Sequence, residues 1–173
     1  IAHEKEIKVI KIKKRDWNTS DKEYWGTYGI GLHTVNLFDV VPISYFSIND
    51  YLTKADEVAY SYNYYWESDV FRRKIYQPMS KVLKWVSNGG RVVQGEGVLP
   101  HAGNLLIITS SLKDVMTLYE LGYTAIAPTS ETVFVPEEYF LKQNKRFKRI
   151  VLFMDSDETG MKRNIELSKK WNL

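Results

Sequence analysis

The second half of this chain alternates short apolar runs with amphipathic ones, and that rhythm restricts its fold more than any other feature. Leu105–Thr109 (LLIIT) is an unbroken apolar run of strand length, as in a strand covered on both faces. Lys113–Leu121 then places Val115, Met116, Leu118, Tyr119 and Leu121 on one side of a helix, and Gly122 suits its C-terminal cap. Tyr123–Ala127 predicts a second strand. Glu137–Lys142 predicts a helix opened by Pro136. Ile150–Met154 (IVLFM) predicts a third strand, and Gly160–Trp171 a final helix. Strands and helices in strict alternation pack as right-handed crossover units, giving a parallel sheet flanked by helices.

The first hundred residues read differently. Ser20–Gly29 predicts a short helix, with Ser20 as N-cap, Glu23 as its capping-box partner and Gly29 at its end. His33–Asp39 predicts a second. Val58–Trp66, Val70–Gln77 and Val82–Ser87 are rich in Tyr, Val and Ile and predict strands. Asn88-Gly89-Gly90 marks a turn, after which Arg91–Gln94 can resume a strand. The character changes near Pro100–Asn104. The expected organisation is a mixed α+β, largely antiparallel subdomain over residues 1–103 and an α/β unit over residues 104–173.

Composition removes several function classes. In 173 residues there is no cysteine, which excludes a disulfide framework, a thiolate zinc site and a cysteine nucleophile, and fits a reducing compartment. The three histidines (His3, His33, His101) are scattered. No run approaches the roughly 20 apolar residues of a membrane helix, so no membrane role is expected.

In open α/β sheets, ligands sit beyond the carboxyl ends of the strands. After the third strand comes Asp155-Ser156-Asp157-Glu158-Thr159-Gly160. Asp155 and Asp157 are two apart, so an extended chain projects both to one side. Converging carboxylates repel each other, and a hard cation such as Mg²⁺ or Mn²⁺ relieves that repulsion. An acidic loop capping the next helix is the plainer reading of the same residues. After the first strand, Ser111 and Asp114 form an S-x-x-D cap, while Ser110, Ser111, Lys113 and Asp114 can also receive a phosphate at a helix start. After the second strand, Glu131 becomes a third acidic ligand if its strand neighbours the one carrying Asp155.

The net charge is +3, and its distribution is uneven. Lys5, Lys8, Lys11, Lys13, Lys14 and Arg15 crowd the first segment. Arg72, Arg73, Lys74, Lys81, Lys84 and Arg91 form a second group beside Tyr60, Tyr62, Tyr64, Tyr65 and Trp66, and Lys142, Lys145, Arg146, Lys148 and Arg149 form a third. Cations interleaved with aromatics suit a single-stranded nucleic acid, which offers phosphates and bases together. A solvated sheet face explains each cluster equally simply. Trp85 is a candidate for stacking on a base, and Tyr76 reads better as sheet packing.

The stretches IITSSLKDVMTLYELGYTAIA (Ile107–Ala127) and VLFMDSDETGMK (Val151–Lys162) resemble the Toprim domain, particularly that of DnaG-type primases of bacteria and phages. Upstream, EYWGTYGI (Glu23–Ile30) with Phe38-Asp39-Val40, and KIYQP (Lys74–Pro78), resemble the entry of the primase polymerase core. The resemblance implies a Toprim-like sheet flanked by helices. It implies Mg²⁺-dependent synthesis of RNA primers from ribonucleoside triphosphates on a single-stranded DNA template, with Asp155, Asp157 and Glu131 as catalytic and metal-holding groups. Arg72, Arg73, Lys74, Lys81, Lys84 and Trp85 would hold nucleic acid. A replicative helicase, fused or separate, is the implied partner, and the cytoplasm of a bacterial or phage-infected cell the implied location. The Toprim pattern places Glu-Gly where this chain has Ser110-Ser111, so Glu131 is the residue able to replace that acid. A fourth Toprim strand is expected after Leu173, and the chain reads like a piece of a longer primase. A metal-dependent nuclease and a non-catalytic module binding single strands or a helicase remain the alternatives.

Overall fold

The computed structural model describes residues 8–66, 70–89, 92–129 and 135–173. The chain divides into two compact units, Ile1–Gly90 and Arg91–Leu173.

The first unit is an antiparallel sheet with two short helices. Its elements are β1 (Ile10–Lys14), α1 (Thr19–Gly26), α2 (Leu32–Leu37), β2 (Val40–Ile48), β3 (Tyr51–Lys54), β4 (Tyr60–Trp66), β5 (Val70–Tyr76) and β6 (Trp85–Ser87). The strand order is β1-β2-β4-β5-β6, with β3 also paired to β2. The nine-residue β2 organises the sheet. Its start pairs with β4 through Val40–Pro42, and its end lies between β1 and β3 through Tyr45–Ile48. Asn49 and Asp50, with φ of 47° and 69°, form the two-residue turn between β2 and β3.

Strands β1, β2 and β3 are additions to the expected pattern. Pro42 reads as a strand breaker, yet it occupies a regular pairing position opposite Tyr60. The cap of α1 is also displaced from Ser20 to Asn18. The Asn18 side chain accepts from the Asp21 amide at 2.9 Å, and the Asp21 carboxylate accepts from the Asn18 amide at 3.0 Å. The strand expected over Val82–Ser87 is confined to Trp85–Ser87, and Val82 is 89% exposed.

Both faces of this sheet are apolar where covered. One carries Ile10, Ile43, Phe46, Ala59 and Ile75. The other carries Tyr60, Tyr62 and Tyr76; Tyr60 and Tyr76 meet Tyr24 of α1, Tyr60 also meets the fully buried Trp25, and Tyr62 packs on Tyr76. Tyr24 and Tyr76 share a hydrogen bond between hydroxyls at 2.7 Å, so Tyr76 is a core residue.

The second unit has the expected alternation. It runs β7 (Val93–Gln94), a short 3-10 turn at Glu96–Val98, β8 (Gly103–Thr109), α3 (Leu112–Glu120), β9 (Ala125–Pro128), α4 (Glu137–Asn144), β10 (Phe147–Phe153) and α5 (Glu158–Trp171). The order is β10-β8-β9-β7. Strands β10 and β9 are both parallel to β8, and β7 pairs antiparallel with β9. Val93 and Gln94, which precede the change of character at Pro100, are therefore hydrogen-bonded into this unit. Gly122 takes φ 83° after α3, as a helix C-cap requires. Leu106, Ile108, Ile126, Phe140, Phe147 and Ile150 fill the core, and Trp171 of α5 stacks on Phe140 at 4.2 Å. No described helix is long and apolar enough to cross a membrane.

Candidate active site

The carboxyl ends of β8 and β10 lie side by side, because Phe153 pairs with Thr109. The chain leaves β8 through Ser110 and Ser111 and leaves β10 through Met154 and Asp155. The two exits are joined: the Asp155 amide donates to the Ser110 hydroxyl at 3.0 Å. Ser110 is 7% exposed. It therefore ties two strand ends together from a buried position.

Each flanking acid has local work. Asp157 is the N-cap of α5, its carboxylate accepting from the Gly160 amide at 2.7 Å. Ser111 is the N-cap of α3 and accepts from the Asp114 amide at 3.3 Å, while its hydroxyl donates to the Asp114 carboxylate at 2.6 Å. The capping interpretation of Asp157 and of Ser111 with Asp114 thus holds geometrically, and it leaves one oxygen of each acid for other contacts.

Electrostatics bind these acids into one cluster. The Asp155 carboxyl is held above its ordinary range, first by partial desolvation and then by the negative charges of Asp114 and Asp157. The Ser110 hydroxyl and the Lys113 ammonium oppose that rise. A cavity of about 20 Å³ lies against Asp155, walled by apolar side chains such as Ile108, Val135 and Leu167 and lined also by Thr159 and Arg163.

Gly160 completes the turn. A Cβ built on it lands 2.0 Å from the Asp155 carbonyl oxygen. Only glycine lets the first turn of α5 approach the strand end this closely, which gives the D-x-D-x-x-G spacing a steric reason.

Asp114 is the acid that sequence reasoning undervalued. The S-x-x-D spacing identified its cap but not that β8 neighbours β10. Glu131 joins Asp155 as a ligand only if its strand neighbours β10; instead β8 lies between β9 and β10. That puts β9 and β10 two strand spacings, about 10 Å, apart. Glu131 itself lies outside the described residues. Among the described residues, no three carboxylate or imidazole side chains are spaced as a metal cage. The donor set instead suits Mg²⁺ bound through one or two carboxylates, with water and phosphate oxygens completing its shell.

The basic group of the first unit is split by the sheet. Arg73 lies on the face that carries Ile75, donating to the Ile10 carbonyl at 2.7 Å and to Asn63 at 3.3 Å. Arg72, Lys74 and Trp85 share the other face by strand alternation and register. Trp85 stacks on Tyr76 at 4.1 Å, and the Lys74 ammonium sits 4.1 Å from its ring centre. Two groups at that distance cannot share one side of the ring. Trp85 is therefore covered on both faces, and a base can stack on it only if Lys74 moves. Lys81 and Lys84 are exposed in the segment before β6.

No family model and no curated protein sequence matches this chain. Solved structures do. The primase fragment of the bacteriophage T7 primase-helicase protein is 15% identical, with a TM-score of 0.60 over 91% of this chain and 66% of that one. A T7 primase domain, in a complex of lagging-strand DNA polymerase with an RNA/DNA hybrid and dTTP, is 16% identical with a TM-score of 0.59, over 92% of this chain and 74% of that one. The DnaG primase catalytic domain bound to single-stranded DNA is 13% identical with a TM-score of 0.64, over 86% of this chain and 58% of that one. This chain therefore spans between about three fifths and three quarters of these relatives, and it has the fold of the DnaG-type primase catalytic core.

Proposed function

We propose that this chain is the core of a DNA primase, joining ribonucleoside triphosphates into short RNA on a single-stranded DNA template. The observation that carries this reading is the gathering of Asp155, Asp157 and Asp114 at one edge of a sheet whose fold is that of primase cores. Asp155 and Asp157, with Asp114 beside them and Glu131 as a further candidate, would hold Mg²⁺ or Mn²⁺. The bound cation would supply positive charge against the triphosphate and lower the pKa of the attacking hydroxyl. The protein's own part is positional. Ser110 fixes the Asp155 backbone, Gly160 lets the α5 start close onto it, and the Asp157 cap holds the second carboxylate. Lys113, with the helix start at Ser111, suits a phosphate. In the first unit, Arg72, Lys74, Lys81 and Lys84 supply cations for the template backbone, which give affinity without sequence readout. The solved relatives include one bound to single-stranded DNA, one with an RNA/DNA hybrid and dTTP, and one from a primase-helicase. Their ligands support the same substrate classes here, and a replicative helicase as partner.

One observation favours a second reading. Ser110 stands where the Toprim pattern has glutamate, and its hydroxyl is engaged with the Asp155 amide. A site lacking that acid fits a nucleic-acid-binding module that has lost catalysis. One gel decides. The chain is incubated with end-labelled single-stranded DNA, labelled ribonucleotides and Mg²⁺ or Mn²⁺, beside Asp155→Asn. Short labelled RNA that disappears in the variant supports the primase. Shortened DNA without RNA supports a Toprim nuclease. Neither product, with DNA still bound, supports the non-catalytic module.

A further inference from the structure

The basic opening segment of the chain forms β1, and its lysines are absorbed by nothing above. In a strand, alternate residues share a face. On β1 that face carries Lys11 and Lys13; on β2 it carries Tyr45 and Ser47; on β3 it carries Leu52 and Lys54. The register aligns them in two rows, Lys11–Ser47–Leu52 and Lys13–Tyr45–Lys54. The opposite face holds the Ile10, Ile43 and Phe46 core; on this one Lys11, Lys13, Leu52 and Lys54 are exposed, Tyr45 is half-buried and Ser47 is buried. A groove of about 420 Å³ crosses it, lined by Lys11, Lys13, Tyr45, Ser47 and Leu52.

The second row has a definite chemistry. Tyr45 is half-buried, so its ring is firmly placed, and it lies between two exposed lysines on the neighbouring strands. The Lys13 ammonium lies over the Tyr45 ring, 5.8 Å from its centre, so a base stacks on the other side of the ring or draws Lys13 away to its phosphate. The acid on this rim is Asp50, which pairs with Lys11 at 2.6 Å. Lys13 and Lys54 thus keep the face positive after that pair is discounted. An aromatic platform with an ammonium on each side matches a single strand, which presents a base face between successive phosphates. A duplex keeps its base faces stacked internally and cannot use the ring.

We infer that the outer face of β1, β2 and β3 is a single-stranded nucleic-acid contact, Tyr45 stacking on a base and Lys13 and Lys54 taking the flanking phosphates. It is distinct from the Arg72, Lys74 and Trp85 group and from the acidic cluster, and it stands whether or not the chain makes RNA.

The test is fluorescence anisotropy of a labelled oligothymidylate of about 20 nucleotides with the full chain, between about 50 and 200 mM salt. Lys13→Glu with Lys54→Glu is expected to weaken binding about tenfold or more at the low-salt end. It should also flatten the salt dependence by about 1.4 in log–log slope, two phosphates at about 0.7 each. Tyr45→Leu, which keeps the apolar packing, should lose about fivefold, and Tyr45→Phe should bind like wild type. Made in the Asp155→Asn background, or in the Lys81→Glu with Lys84→Glu background, the Lys13, Lys54 and Tyr45 substitutions should cause the same further losses, which separates this face from the catalytic reading and from the other cations. Unchanged affinity and slope in lysine variants that melt like wild type would overturn the inference. So would binding of phosphatidylserine vesicles through these lysines while oligothymidylate binding stays intact.

Discussion

The Ser110 hydroxyl accepts the Asp155 amide at 3.0 Å, so the acid that leads the D-x-D sequence is positioned by a side chain from the neighbouring strand. The contact is between a nearly buried hydroxyl and the backbone of a residue whose carboxylate faces water. Ser110→Ala removes the acceptor and strands a backbone donor. The expected loss of stability is about 1 kcal/mol, the ordinary net worth of such a bond. RNA synthesis should fall with it, because Asp155 loses its anchor. Urea unfolding and the primer gel measure the two effects. A variant as stable and active as wild type would show that the strand end is held by other means.

Gly160→Ala tests the second constraint on Asp155. The added methyl would sit 2.0 Å from the Asp155 carbonyl oxygen, so either the start of α5 or the strand end must move. Overpacking of this kind costs about 1–3 kcal/mol. The control is Gly26→Ala in α1, where a Cβ meets nothing within 4 Å. Equal unfolding midpoints for the two variants would remove the steric account of the glycine.

Much of this arrangement was legible in the sequence, and the rest was hidden for physical reasons. LLIIT announces β8 because a strand covered on both faces tolerates no polar alternation, and IVLFM announces β10 by the same apolar run, although Val151 and Phe153 are exposed there. Asp155, Asp157 and Gly160 follow directly from that placement. Strand order is different, because nothing in a single strand says which neighbour it takes. The sequence therefore offered Glu131 as the third acid and Asp114 only as a cap and phosphate-site residue, and it is the pairing of β10 with β8 that brings Asp114 beside Asp155. In the first unit, the Lys-Ile alternation of Ile10–Lys14 is a strand pattern that a charge cluster conceals. Pro42 hides β2, since a proline within a strand usually demotes it. The cap slipped from Ser20 to Asn18 because Asp21 serves as a reciprocal partner as well as Glu23 does.

Asp155→Asn should stabilise the metal-free protein at neutral pH while abolishing RNA synthesis. The Asp155 carboxyl is raised, mainly by desolvation and then by Asp114 and Asp157. A carboxyl raised on folding binds its proton more tightly in the folded chain. Its protonation favours folding below the unfolded pKa, and that advantage disappears as pH climbs through the folded pKa, leaving a penalty at pH 7. Asn lifts the penalty. The gain is small, because Asp155 is largely exposed and water screens its neighbours. In chelator, the variant is expected to melt above wild type at pH 7, with the gap closing as pH falls to about 4. Mg²⁺ should raise the melting point of wild type only, by the equivalent of about 2.7 kcal/mol at a hundredfold excess over Kd. A variant that melts lower than wild type in chelator at pH 7 would refute the repulsion argument.

A buried ion pair, Arg15 with Asp21, anchors α1 in the first unit. Asp21 is fully buried and Arg15 largely so. The carboxylate accepts from the Arg15 guanidinium through both oxygens, with one bond at 2.9 Å. It also accepts the Tyr60 hydroxyl at 3.0 Å and the Asn18 amide at 3.0 Å. Four donors on one buried carboxylate mean that its removal strands several groups at once. Asp21→Ala should therefore cost about 3–5 kcal/mol, the range for breaking a buried pair from one side. It should also remove the capping box, so α1 and the Tyr24 and Trp25 packing weaken together. Arg15→Met, which leaves the Tyr60 and Asn18 bonds to the carboxylate, is expected to cost less. Urea unfolding of the two variants gives the order, and Arg15→Met proving the more damaging would mean that the guanidinium, which also donates to the Glu57 carbonyl, is the true centre of the network.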